Sequence, residues 1–291
     1  QDSTRYGKLQ LIFNKKPEMA QLTYEDLGQQ VYYQYEQDTI WVWHDWPNST
    51  TWPLYVQSDT LQDTIQMSNA LRDTFLNRSK LTPTSNLTTS AIALNPAKSL
   101  RLSFNHPLQQ LDTARIRLFE DSIKTQVRFQ MRIDSAERQE TLLTYPWKEK
   151  VLYELLLLPG AFTDWYGLVN TDTIRQRYQV SERTDFGDIK LRLEDIAKGK
   201  NYLLQLLFKN DNLVEEFAVN GDQDSIVEKS FLALPPGDYS LRVVEDRNNN
   251  QRWDTGNYDR GEQPERQAIR PIEELRASWE VESTISLQFK K

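Results

Sequence analysis

Apolar and polar residues alternate along much of this chain. Leu9, Leu11 and Phe13 run out of phase with Lys8 and Gln10, with Ile12 as the one apolar residue on the opposite parity. Leu100, Leu102 and Phe104 alternate with Arg101 and Ser103. Ile189, Leu191 and Leu193 alternate with Lys190 and Arg192, and Tyr239, Leu241 and Val243 with Ser240 and Arg242. Trp279, Val281, Ile285, Leu287 and Phe289 share one parity, broken only by Ser283. Successive side chains of a strand point to opposite faces, so a period of two puts each apolar set on one sheet face and the polar set in water. Many short strands separated by turn residues predict an all-β protein built of tandem antiparallel sandwiches, Ig-like or prealbumin-like. Helical periodicity is sparse. Residues 67–80 read either as a helix with Leu71, Phe75 and Arg78 on one side or as an irregular loop, and the polar stretch 81–90 reads as a linker.

A short internal repeat suggests how the strands are parcelled. Leu9-Gln-Leu-Ile-Phe-Asn-Lys-Lys-Pro17 resembles Leu100-Arg-Leu-Ser-Phe-Asn-His-Pro107, each a strand followed by Phe-Asn and a nearby Pro. The interval is the size of one small sandwich, and Asp185-Phe186-Gly187 opens a third alternating region. The expected domains are a β-sandwich over 1–90, a bacterial Ig-like domain over 91–184, and a β-sandwich with an Asn/Asp-rich loop over 185–291.

Composition narrows the chemistry. Among 291 residues there are 35 Lys+Arg and 42 Asp+Glu, a formal net charge of −7. With its basic residues scattered, such a chain lacks the concentrated positive field of a nucleic-acid groove. There is no Cys, which excludes disulfides, thiolate metal sites and a cysteine nucleophile. His44 and His106 are the only histidines, so a Ser-His-Asp triad would have to use one of them. His106, between Phe104-Asn105 and Pro107, reads as a strand-end residue. No phosphate-binding glycine motif occurs, no two acids stand out as a glycosidase pair, and no apolar run approaches the roughly 20 residues of a membrane-spanning helix. The sequence has no signal peptide and opens at Gln1 shortly before a strand-like run, which reads as a mature protein or an excised fragment.

Two constellations carry candidate chemistry. The first is Asp246-Arg-Asn248-Asn-Asn250-Gln-Arg252-Trp-Asp254. Side-chain oxygens at alternate positions, followed by the Arg252 carbonyl and the Asp254 carboxylate, match the first part of a calcium loop, since Ca²⁺ takes six to eight hard oxygens around one point. Gln251 stands where such loops turn on Gly, and Asn257 where they carry a bidentate Glu. Weak Ca²⁺ binding is one expectation, and a hairpin held by its own side-chain-to-backbone bonds is the other. The second constellation is aromatic: Trp41, Trp43, Trp46 and Trp52, with His44, Asp45 and Tyr55 among and behind them. Trp41 and Trp43 share a parity opposite to Ile40 and Val42. One of these faces is expected to be core and the other to meet a partner protein. A platform on which sugar rings stack is the alternative.

The segment Leu157-Leu-Pro-Gly-Ala-Phe-Thr-Asp-Trp-Tyr-Gly-Leu-Val-Asn170, with Asp172-Thr173 after it, resembles bacterial Ig-like domains of the S-layer-protein type, through a Pro-Gly turn and then Asp164, Gly167 and Asn170. Leu234-Pro-Pro-Gly-Asp-Tyr239 and the run on to Tyr258, Gln263-Pro264-Glu265, and Leu275-Arg-Ala-Ser-Trp279 are similar to the same family, the Ig-like-domain surface lipoproteins of Bacteroidota. In that family a lipidated Cys and a further Ig-like domain lie N-terminal to such a region, so this chain resembles a C-terminal portion. The recurring Asp-[Ser/Thr]-[Ala/Ile/Leu/Thr], as at Asp112, Asp134 and Asp172, resembles the O-glycosylation acceptor of that group and also reads as a turn-to-strand junction. The resemblance implies an outer-membrane, cell-surface location, attachment through a lipid anchor outside this sequence, and no catalysis. The expected function is a scaffold subunit that docks on an outer-membrane protein complex, such as machinery for inserting β-barrels or exporting proteins. A carbohydrate- or ligand-binding module is the alternative.

Overall fold

The structure, a computed structural model, describes residues 6–13, 21–24, 31–36, 39–45, 51–58, 61–68, 70–84, 91–121, 123–209, 212–223, 225–249, 251, 253–256, 261 and 263–289. It is an all-β structure, as the alternation predicts. The chain divides into two compact units. One comprises Gln1–Leu94 and Lys98–Val180, the other Asn95–Ala97 and Ser181–Lys291.

The first unit holds two sandwiches with separate cores. Its N-terminal sandwich contains β1 (Lys8–Ile12), β2 (Gln21–Tyr24), β3 (Val31–Glu36), β4 (Thr39–His44), β5 (Thr51–Ser58) and β6 (Leu61–Ser68). They form two antiparallel sheets, ordered β1-β4-β3 and β2-β5-β6. Ile40 and Val42 from one sheet meet Trp52, Leu54, Val56 and Met67 from the other. Residues 67–80, read as a helix or an irregular loop, are a helix only in part. Met67 and Ser68 finish β6, and a short helix α1 (Arg72–Arg78) follows. Phe75 of α1 is buried, Leu71 packs beside it, and Arg78 is exposed.

The second sandwich contains β7 (Ile92–Leu94), β8 (Leu100–Ser103), β9 (Leu108–Leu111), β10 (Ile116–Glu120), β11 (Thr125–Val127), β12 (Gln130–Ile133), β13 (Glu140–Thr144), β14 (Leu152–Leu157), β15 (Phe162–Asp164) and β16 (Ile174–Val180). A five-stranded sheet, β11-β10-β14-β16-β7, encloses a core with the sheet β12-β13-β8 and the pair β15-β9. Leu118, Tyr153, Leu155, Leu157 and Tyr178 on the large sheet pack with Leu100, Leu102, Leu143 and Phe162. Full burial of one such side chain contributes about 1.5–3 kcal/mol before chain entropy is counted. The two copies of the sequence repeat fall on β1 and β8, each of which pairs antiparallel with one neighbour.

The second unit contains β17 (Gly187–Glu194), β18 (Asn201–Phe208), β19 (Asn212–Asn220), β20 (Val227–Leu234), β21 (Tyr239–Asp246), β22 (Gln267–Pro271) and β23 (Glu280–Ser286). Its sheets are β20-β17-β23 and β19-β18-β21-β22. All pairings are antiparallel except β17 with β23, which is parallel. Ile189, Leu191 and Leu193 pack on Leu241 and Val243, in the parities that the sequence marks as apolar, and on Tyr202, Leu204 and Leu206 of β18. Trp279 departs from its pattern. It lies just before β23, exposed, with the Arg276 guanidinium 4.9 Å from its ring centre.

Candidate functional site

The aromatic constellation forms around β4. Ile40 and Val42 point into the N-terminal core, while Trp41 and Trp43 point to the other face of the sheet. That face is covered within the same unit. Trp43 is 2% exposed and packs with Tyr6, Phe75 and Tyr166; Trp41 is half-buried at the edge of the same cluster. The Lys8 ammonium stands 3.8 Å from the Trp41 ring and 4.5 Å from that of Trp43. Trp52 is buried in the sandwich core, and Trp46 lies outside the described residues. Of the predicted interaction residues, Trp43 and Trp52 are therefore packed inside. One face of β4 is core, as expected; the other, expected to meet a partner protein, is packed against residues of the same unit.

Long-range hydrogen bonds close this junction between the two sandwiches. The Tyr166 hydroxyl donates to the Gly7 carbonyl at 2.6 Å, and that carbonyl also accepts from the His44 N–H at 2.9 Å. Gly7 has φ +78°, and a Cβ there would fall 2.5 Å from the Tyr166 ring, so both backbone conformation and space demand glycine. The Tyr6 hydroxyl donates to Asp45 Oδ1 at 2.9 Å. Arg72, just inside α1, donates to both Asp45 oxygens at 2.7 and 3.1 Å. Farther along β3, the Tyr32 hydroxyl donates to the Ala136 carbonyl at 3.3 Å, and Gln34 Nε2 to Glu137 Oε2 at 3.0 Å.

Both histidines border this cluster. His44 is 4% exposed, with ring contacts to Tyr6 at 5.5 Å and Trp52 at 5.6 Å. Burial pushes its pKa down to about 4, against a smaller opposing pull from the Asp45 charge. His106 lies 5.4 Å from the Tyr166 ring and 5.7 Å from that of Phe75. Its Nδ1 is 2.7 Å from Asp164 Oδ2, and Asp164 is fully buried. The other oxygen of Asp164 accepts from the backbone N–H groups of Tyr166 and Leu168 at 2.9 and 2.8 Å. An ionised carboxylate only accepts, so this contact fits the tautomer in which His106 donates from Nδ1. Its Nε2 faces the Asn105 amide nitrogen at 3.4 Å. The His106–Asp164 pair has the form of two-thirds of a triad, yet no hydroxyl among the described residues hydrogen-bonds to His106. In this geometry the pair fastens the turn after β15. Asn170 does the same from the far side, with Oδ1 accepting from the Phe162 N–H at 3.0 Å and Nδ2 donating to the Leu158 carbonyl at 2.9 Å.

The Asn/Asp-rich loop belongs to the second unit and follows β21. Asp246 is buried, and its Oδ2 accepts from the Gln251 N–H at 2.7 Å. Asn248 Nδ2 donates to Asp254 Oδ2 at 2.8 Å. Asn250 and Arg252, the other members of the predicted calcium set, lie outside the described residues. Asn249 and Gln251 have φ of +56° and +57°, so the turn is made without glycine. Glu265, outside the predicted set, organises the loop from across it. Its two oxygens accept from the N–H groups of Arg247 at 2.7 Å and Asp254 at 3.1 Å, its carbonyl takes the Trp253 indole N–H at 3.0 Å, and Arg247 reaches the Gln263 carbonyl. Burial raises the Glu265 pKa, the two N–H donors lower it, and the charges of Asp254 and Asp246 raise it further. A cation here would have to share Asp246 and Asp254 with these N–H donors.

The Asp-Ser/Thr sites include side-chain-closed turns. Asp112 Oδ1 accepts from the Ala114 N–H and Asp134 Oδ1 from the Ala136 N–H, both at 3.0 Å. An open groove of about 560 Å³ beside the first of them is lined by Gln110, Asp112, Arg115 and Thr163, with Arg115 tied to Asp112 and to the Pro159 carbonyl.

No protein-family model matches this chain, and no curated protein does. Among solved structures, it is similar to a segment of native alpha-2-macroglobulin from Escherichia coli, at 11% identity over 67% of this chain and 72% of that one, with a TM-score of 0.30. It is also similar to the N-terminal part of the bacterial S-layer protein SbsC, at 9% identity over 70% and 46%, with a TM-score of 0.32. A Bacteroides ovatus protein of a mixed-linkage glucan utilization locus, solved with a heptasaccharide, aligns at 10% identity over 97% and 65%, with a TM-score of 0.19. Likenesses this distant assign no function.

Proposed function

We propose that this chain is a non-catalytic cell-envelope protein that serves as a surface-exposed scaffold subunit of an outer-membrane protein complex. The observation that carries the reading is the use made of the polar and aromatic residues at the junction. His106, Asp164, Tyr166, Asp45 and Arg72, the residue types from which an active site would be drawn, are engaged in fixing turns and locking two sandwiches together. A chain that spends its buried polar groups on holding domains at a fixed spacing suits a structural role. The sequence resemblance to Ig-like surface lipoproteins supplies the envelope location, and with it attachment by an anchor outside this sequence.

The test is capture from detergent-solubilised native outer membranes with the chain as bait, followed by reconstitution with the purified candidate. Stoichiometric co-elution with one β-barrel or export component is expected. Retention by neutral glycans on an array, with no stable protein complex formed, would replace this reading with the carbohydrate-module one.

A further inference from the structure

The outer face of the five-stranded sheet inverts the charge balance of the chain. Outward-facing residues on its three central strands are Arg117 and Phe119 on β10, Leu152, Glu154 and Leu156 on β14, and Arg175, Arg177 and Gln179 on β16. Registers Arg117↔Leu156↔Arg175 and Phe119↔Glu154↔Arg177 form two adjacent rows. Lys124, from the β10–β11 turn, reaches the same surface. Four cations thus share a face with one carboxylate, in a chain of net charge −7. Lys124, Arg175 and Arg177 converge on Glu154 at 3.3, 3.2 and 3.6 Å, yet each remains more than half exposed while Glu154 is buried beneath them. Arg117 is exposed and has no ion-pair partner among the described residues.

We propose that this face binds an acidic polysaccharide, a glycan chain carrying carboxylates. Glu154 already shows how these side chains take a carboxylate. The spacing argues for a polymer. Arg117 and Arg175 sit two strands apart, about 10 Å, and Arg175 and Arg177 about 7 Å apart along one strand. Cations so spread do not close around one small ion. A single exposed pair contributes little, so binding needs several anions on one chain. The scarcity of exposed apolar side chains on the strands of this face argues against a protein partner. Leu156 is only 6% exposed, Phe119 and Leu152 are part-buried, and none of the exposed large apolar residues lies on β10, β14 or β16, the nearest in sequence being Ile123 of the β10–β11 turn. Protein interfaces draw most of their energy from a few large, buried anchors. Central strands also have no free edge to which a peptide could add.

The test uses the full chain and polygalacturonate as probe, by affinity electrophoresis and calorimetry, with dextran as neutral polymer and polyglutamate as acidic polypeptide. Polygalacturonate is expected to retard the protein at about 20 mM salt and to release it at about 0.5 M, where screening reaches within a few ångströms. Dextran and polyglutamate should bind less. Arg117→Glu, which leaves the Glu154 cluster intact, should weaken binding severalfold. Arg117→Glu with Arg175→Glu should weaken it at least about tenfold. Glu154→Gln should tighten it. Melting curves check that each variant is folded, and Arg117→Glu alone decides the matter if the double variant is not. Absence of binding at low salt, or binding that Arg117→Glu leaves unchanged, overturns the proposal. Equal or tighter binding of polyglutamate also overturns it and assigns the face to an acidic polypeptide.

Discussion

The aromatic junction of the first unit and the Asn/Asp loop of the second both bury polar groups, but they satisfy them over different ranges of sequence. In the loop, Asp246 accepts a hydrogen bond from a residue five positions on, and Asn248 donates one to a residue six positions on. At the junction, Tyr166 donates across 159 positions to Gly7, and Arg72 reaches Asp45 across 27. The loop draws much of its shape from its own side chains, with Glu265 closing it from the next segment. The junction exists only when two sandwiches are already folded against each other. Local networks therefore leave a spacing pattern in sequence, and distant ones leave none.

The largest expected effect tests the packing of the junction. Trp43→Ala should lower stability by about 3–5 kcal/mol, the cost of truncating a buried aromatic residue. Trp41→Ala, at the half-buried edge, should cost about 1 kcal/mol by its smaller loss of buried area. Denaturant unfolding of the two variants measures the difference. Equal costs would mean that the cluster does not discriminate centre from edge, and the contrast with the loop would lose its basis.

The second effect is pH dependence, again at the junction. The folded pKa of His44, about 4, is below its ordinary 6.5. Between these values the unfolded chain binds more protons, so the stability that neutral His44 contributes is full above pH 6.5 and is lost as pH falls toward 4. The linked free energy is on the order of 3 kcal/mol. Unfolding at a series of pH values should show this slope, and His44→Gln should flatten it. An unchanged slope in the variant would place the acid sensitivity elsewhere.

Next come the local bonds. Glu265→Ala leaves the N–H groups of Arg247 and Asp254 without their acceptor and should cost about 1–3 kcal/mol, two lost hydrogen bonds at about 0.5–1.5 kcal/mol each. The effect should be confined to the second unit, visible as an unchanged response of junction tryptophan fluorescence. The smallest effect concerns calcium, which we propose binds weakly at Asp246, Asn248, Asn250, Arg252 and Asp254. At ten times its Kd it should stabilise the chain by about 1.4 kcal/mol, a midpoint shift of a few degrees that Asp254→Ala removes. A midpoint that is the same in millimolar Ca²⁺ and in chelator would leave the loop to its own N–H donors and deepen the contrast drawn above.

Much of the fold was legible because strand alternation is itself local. Ile189, Leu191 and Leu193 are buried in the phase their sequence predicts. The short helix was half legible: Phe75 marks its buried side, but β6 occupies the first residues of the stretch. Trp41 and Trp43 were legible as one face of a strand, while what covers that face was not. Tyr6, Arg72 and Tyr166 carry no spacing signal that points to β4, since their positions follow from how two cores meet. Glu265 stands in a segment noted for its resemblance, but only the fold shows it bridging a loop that starts nearly twenty residues earlier.

The parallel pairing of β17 with β23 has a consequence for how the second unit is made. The first and last strands of this sandwich are neighbours, joined from Asp188↔Glu280 to Glu194↔Ser286. On a ribosome, β17 emerges long before the strand that completes its sheet. Until β23 arrives, one side of β17 offers unpaired backbone groups, and Ile189, Leu191 and Leu193 lack Val281 and Ile285 as neighbours. Contacts so distant in sequence close slowly, because the loop entropy must be met before the pairing is gained. Completion of this unit therefore waits for its last strand, and a chain halted before Glu280 exposes an adhesive strand edge of the kind that holdase chaperones cover.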